Sequence, residues 1–272
     1  YDPADVKLPA RRAGEEEHLP PVYPKILKGE VKSNGICLPH VDGAHVREMI
    51  ALTYGMITHV DSEIGRVLYA LERTKLDQNT IVIFTGNHGD MMGDHGLFFK
   101  SFYTFRGCIN VPLIVVAPGM DGGWKNHALV CQLDLMPSIL DLCKVPMPGS
   151  DWTKTEIPFD RGLVMPLQTY PGHSWRRLLD GTADEIRDSV VIENDDPITG
   201  YQVRCLVTPT HRLSLYPGTD DGELFDLQQD PWELENLWYK SEHAKLRNSL
   251  IARLASVYSR ETPFHPIPPG NV

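Results

Sequence analysis

Apolar and polar positions alternate with different periods along the chain, and those periods divide it into segments. Residues 1–42 show no sustained period and are rich in Pro, Gly and charge, which predicts an extended surface arm. Between Ala44 and Leu76 the apolar residues Ile57, Val60, Ile64, Val67, Leu68 and Leu71 recur at three- and four-residue steps. That spacing predicts a long amphipathic helix, with Gly55 marking a bend. Asp77-Gln78-Asn79 reads as a turn, and "NTIVIF", ending at Phe84, as a buried strand. A second apolar run, "VPLIVVAPG", ends on Pro118-Gly119. Two continuous apolar strands with helices between strands predict an α/β fold with a mostly parallel sheet and flanking helices. "LDLMPSILDLC" predicts a short helix, capped by Asp134 and carrying Pro137 in its first turn.

Beyond a Pro- and Gly-rich stretch the period changes. "SVVIEN", "YQVRCLVT" and "HRLSLY" are short strand-like runs. They are followed by "GELFDLQQDPWELENLW" and by an amphipathic helix from Glu242 to Ser259 that would bury Leu246, Leu250, Ile251, Leu254 and Val257. The expected organisation is an α/β core over 1–150, an irregular connection over 151–186, and a small α+β subdomain over 187–272. The last unit is a small antiparallel sheet with one helix.

Composition narrows the function classes. A formal net charge of −10 argues against a nucleic-acid surface, which needs clustered Lys and Arg. No apolar run is long enough to span a membrane, and the opening "YDPADVKLPARRAGEEEHLPP" does not read as a signal peptide. The chain opens on Tyr, which suggests a processed, tagged or truncated start. Five scattered Cys without Cys-x-x-Cys spacing read as buried thiols of a reducing compartment, hence the cytoplasm. The periplasm is the alternative if a signal peptide lies upstream.

The chemistry concentrates in "TGNHGDMMGDHGLFFK", Thr85 to Lys100, directly after the first strand. Ligands bind outside the carboxyl ends of strands in open α/β sheets, which is where Asn87 and His88 fall. Gly86 and Gly89 allow close backbone approach. Oxygen donors suit Ca²⁺ or Mg²⁺, imidazole widens the choice to transition metals, and Lys100 could meet an anion. Asn-His-Gly is equally a good turn sequence, Asp94 could cap a short helix, and His95 could be structural. Spacing alone leaves turn and site level.

A longer pattern separates the two. "YGMITHVDSEIGRVLYALERTKLDQNTIVIFTGNHGDMMGDHGLFFK" resembles the C-terminal core of the sulfatase family, within the alkaline-phosphatase-like superfamily. The likeness continues in order through "VPLIVVAPG", "VCQLDLMPSILDLCKVPMP", "SWRRLLDG" and "GELFDLQQDPWELENL". It implies a sulfuric ester hydrolase, arylsulfatase-like, acting on a small anionic ester. A divalent cation, Ca²⁺ first and Mn²⁺ or Mg²⁺ next, would hold the ester, and a formylglycine would attack it. By the same resemblance Asn87 and His88 are metal ligands, His88 and Lys100 catalytic, Lys100 and His95 substrate-binding, and Asp90 supporting.

The chain also departs from that family. Asn87 stands where the family usually has Asp, so a carboxylate is lost and cation affinity should fall. The formylglycine motif, Cys/Ser-x-Pro-x-Arg, is absent. "CLPHV", Cys37 to Val41, has Cys-x-Pro but Val where Arg is required, and reads as a decoy. The expectation is therefore the C-terminal part of a sulfatase, completed by the missing N-terminal half or by a homo-oligomer. The alternatives are a phosphate or phosphonate ester hydrolase of the same fold, or a sulfatase-like remnant without catalysis.

Overall fold

The computed structural model describes residues 1–32, 41–145, 171–197 and 199–261. Cys37, most of "CLPHV", His265 and the bulk of the 151–186 connection lie outside them. Helix α1 (Val22–Leu27) comes first, and α2 (Gly43–Thr74) follows as one 32-residue helix. Asp42 starts α2 by accepting from the backbone N–H groups of Ala44 and His45 at 2.9 Å each. The helix runs unbroken through Gly55, and Lys75, in the left-handed region, ends it. Strand β1 (Val82–Thr85), the single turn α3 (Arg106–Ile109), strand β2 (Leu113–Val116) and helix α4 (Leu135–Leu142) complete the first part.

The turn α5 (Arg176–Leu179) leads to β3 (Val190–Asp195), β4 (Gln202–Val207), β5 (His211–Leu215) and β6 (Gly222–Asp226). These four strands form one antiparallel sheet in sequential order. Helix α6 (Ala244–Glu261) packs on it, burying Leu250 and Leu254 against Leu206, Leu213, Leu224 and Trp238. The three strand-like runs and the amphipathic helix of this region match β3, β4, β5 and α6, whereas β6 falls in "GELFDLQQDPWELENLW", which carries no strand reading. Strand β3 takes in Glu193 and Asn194, as the run "SVVIEN" predicts, and extends through Asp195.

Three other expectations change. β1 and β2 pair antiparallel, Val82 opposite Val116 and Thr85 opposite Leu113. The α/β class holds, but continuous apolar runs mark strands flanked on both faces and do not encode their direction. The arm is not merely superficial: Val22, Tyr23 and Ile26 are buried with Phe102, Tyr103, Phe105 and Phe225 in the main core. Tyr23 donates to or accepts from Tyr216 at 2.9 Å, a tertiary contact that no local period can signal. Asp134 is not a simple helix cap. Its carboxylate accepts from the backbone of Cys131 at 2.8 Å and of His173 at 2.7 Å, and pairs with buried Arg187.

Part of the apolar surface stays uncovered. Ile57, Val60 and Val67 of α2, and Ile114 and Val116 of β2, are each more than half exposed. Only Val46, Ile50 and Ala51 of the α2 stripe are buried.

Candidate active site

The loop after β1 is shaped by short-range polar contacts. The Asp90 Oδ1 accepts from Met92 N at 2.9 Å and Phe99 N at 3.1 Å. Met91 N donates to the Phe99 carbonyl at 3.0 Å and Gly93 N to the Leu97 carbonyl at 2.8 Å. Buried Met91, Leu97 and Phe98 anchor the closed loop. Asp90 thus organises backbone. Gly89 lies so close to α3 that a methyl group on it would overlap the Gly107 carbonyl oxygen, and its N–H donates to Cys108 O at 2.8 Å.

The bend at Phe99 and Ser101, both at positive φ, turns Lys100 back across the loop. Lys100 Nζ then lies 2.7 Å from His88 Nε2. His88 Nδ1 lies 2.8 Å from the Gly89 carbonyl, so Nδ1 carries the proton and Nε2 accepts from the ammonium. Both side chains are exposed, as is Asn87, whose side-chain amide makes no hydrogen bond to any described residue. The result is an open wall at the end of β1 with one positive charge, one imidazole lone pair and one free amide oxygen. Such a wall suits an anion.

Of the five sequence candidates, the structure brings Asn87, His88 and Lys100 to this wall and puts Asp90 beneath it. It does not bring His95 there. The His95 ring is buried, stacked on Phe105 with centroids 4.1 Å apart, and its Nδ1 faces Glu15 at 3.7 Å. Residues that sequence reasoning missed hold the wall in place. Gln132 donates from Nε2 to the carbonyls of Gly86 at 2.9 Å and Asn87 at 2.7 Å. Asp196 accepts from Ser101 Oγ at 2.8 Å, and Asn194 donates to Ser101 O at 2.8 Å. Gln132 lies in a quoted block but nothing in its spacing points to the loop. Asn194 and Asp196 carry no signal beyond their polarity.

A cation finds two donors here, Asn87 Oδ1 and His88 Nε2. Ca²⁺ takes six to eight oxygens, and the described residues contain no group of three or more His, Cys, Asp or Glu able to hold a metal. This chain's residues alone therefore do not fit a closed cation site.

Residues 14–145 match the family described as Sulfatase. An arylsulfatase of Clostridium perfringens is 32% identical over 212 residues, covering 75% of this chain and 40% of the relative. Arylsulfatase K of Gallus gallus is 28% identical over 249 residues, covering 86% and 41%. The chain belongs to the sulfatase family. Its fold also superposes on a phosphonate monoester hydrolase of Agrobacterium radiobacter with a TM-score of 0.76 at 22% identity, covering 96% of this chain and 53% of that one. The sulfatase chain described here thus spans about two fifths of the curated relatives it matches and about half of that solved structure. Among its described residues no helix is long and apolar enough to cross a membrane.

Proposed function

We propose that this chain supplies one wall of a sulfate-ester hydrolase site, and that polypeptide corresponding to the rest of the fold supplies the other. The observation that carries the reading is the Lys100–His88 pair at the carboxyl end of β1, 2.7 Å apart. A tetrahedral dianion or monoester anion would draw the Lys100 ammonium to its oxygens as a point charge. That movement frees the His88 Nε2 lone pair, next to the amide oxygen of Asn87. Those two atoms would then contribute to a divalent cation, Ca²⁺ first, whose remaining ligands come from outside this chain. When bound, the cation would polarise the ester and neutralise charge on the transferring group. Gln132 and Asp90 keep the carrying backbone fixed throughout. The formylglycine nucleophile that the family resemblance implies is placed on the complementary polypeptide. The four described cysteines are all free, which supports a reducing compartment.

The test is hydrolysis of a chromogenic aryl sulfate with added Ca²⁺, by this chain alone and together with a polypeptide covering the complementary half of the fold. The expected result is no turnover alone and turnover in combination. Robust turnover by the chain alone would refute the divided site. Sulfate binding without turnover in either case would favour a non-catalytic binding module, the reading that neutral Asn87 supports.

A further inference from the structure

A concavity is lined in part by Gly107, the residue against which Gly89 packs. It encloses about 230 Å³ between α3 and the turn that follows β6. That is less than the roughly 300–1,000 Å³ of drug-sized sites, so it has room for one small ring. Its lining includes Asp94, His95, Arg106, Asn110, Trp232 and Glu233. The Asp94 carboxylate is half-buried and makes no hydrogen bond to a described residue. Burial holds its carboxyl above the usual range. Buried His95 stacks on Phe105 and faces its Nδ1 to Glu15 at 3.7 Å, beyond hydrogen-bond distance. The Arg106 guanidinium and Asn110 amide are exposed and unpaired among the described residues, and the Trp232 indole is 61% exposed at the rim.

Several ligand chemistries fail here. The lining holds no cation cage. A bare anion would face the carboxylates of Asp94 and Glu233. A purely apolar ligand would strip water from Asp94, Arg106 and Asn110 without replacing its hydrogen bonds. A neutral ring with an apolar C–H face and hydroxyls around its edge meets Asp94, Arg106, Asn110 and Trp232, while Glu233 stays engaged by Arg212 and Arg106 N. Hydroxyls donate to Asp94 and accept from Arg106 and Asn110, while the C–H face lies on the indole. We propose that this cavity binds one pyranose ring of a carbohydrate, with Trp232 as its stacking face and Asp94 as its principal hydroxyl acceptor.

The proposal goes beyond the hydrolase reading and is tested without turnover. The ¹⁵N-labelled chain is titrated with methyl β-D-glucopyranoside to roughly 50 mM, the range that millimolar affinity requires. The Trp232 indole N–H signal, identified by its loss in Trp232→Phe, should shift and saturate while that of exposed Trp124 stays still. Asp94→Asn should weaken binding about fivefold or more. Trp232→Ala, with an unchanged methyl spectrum, should abolish the remaining backbone shifts. Absence of a saturable shift, equal shifts at Trp124, or saturation by sodium sulfate in place of the glycoside would each overturn the assignment.

Discussion

Lys100 donates to His88 across 2.7 Å, joining residues twelve apart in sequence on the exposed face of one loop. Neither side chain is buried, so the pair adds little to stability. Its worth is positional. In the assembled enzyme Lys100→Ala should lower kcat/KM for an aryl sulfate by about 10²–10³-fold, the usual cost of removing one charge-stabilising donor. Lys100→Arg should recover part of it. Thermal unfolding of Lys100→Ala should match that of the parent chain.

Gln132 and Asn87 address the cation. Gln132→Leu leaves the carbonyls of Gly86 and Asn87 to solvent, costing less than about 1 kcal/mol of stability because the site is exposed. It should nevertheless weaken cation binding about tenfold, as loss of ligand-orienting contacts does. Asn87→Asp should tighten binding by restoring a charged oxygen. Calorimetric titration of the assembled protein with Ca²⁺ checks both, and unchanged affinity in Asn87→Asp would show that Asn87 is not a ligand.

Asp94 gives a pH signature. Burial raises its carboxyl, so the folded chain holds this proton more tightly than the unfolded chain. Stability is therefore lost as pH rises from the ordinary aspartate value, about 3.9, through the higher folded value. Asp94→Asn removes that loss. The variant should be the more stable at neutral pH, and the two urea curves should converge below about pH 4.

Arg212 lies buried between Glu223 and Glu233 and over the rings of Phe105 and Phe225, with both centroids 4.7 Å away. Arg212→Met strands two buried carboxylates. It should cost about 3–5 kcal/mol in urea unfolding. Glu233 also accepts from Arg106 N at 2.6 Å, so α3 should loosen in the same variant, visible as faster amide exchange there.

The thiols should separate by burial. Burial pushes Cys108 up to about 12 and raises Cys205 as well, whereas Cys143 is exposed. Iodoacetamide at about pH 8 should modify Cys143 and leave Cys108 and Cys205 until the chain unfolds. Peptide mapping reads the order.

Periodicity reached far in this chain where burial alternates locally. It located α2 from its apolar spacing, and it located β3, β4, β5 and α6, which bury one face of a regular element; β6 carried no strand reading. It missed the pairing direction of β1 and β2, which depends on connections and not on composition. It also placed Ile57, Val60 and Val67 on an apolar face, which they form, although nothing described here covers that face. At the candidate site, Asn87, His88 and Lys100 share one loop whose spacing left turn and site level, and the family resemblance is what named them. Gln132, Asn194 and Asp196 were not legible, since 45 or more residues separate each from the atoms it holds.

The Tyr23–Tyr216 hydrogen bond also bears on how the chain reaches its native state. It closes over 193 residues, and Tyr216 in turn donates to Glu223 at 2.9 Å. The early segment that carries Tyr23 has no finished surface to dock on until the β5–β6 hairpin exists. During synthesis it must wait, unpaired, while some two hundred residues emerge, so its docking is a late and entropically slow event. Refolding should show α1 acquiring amide protection after the C-terminal sheet.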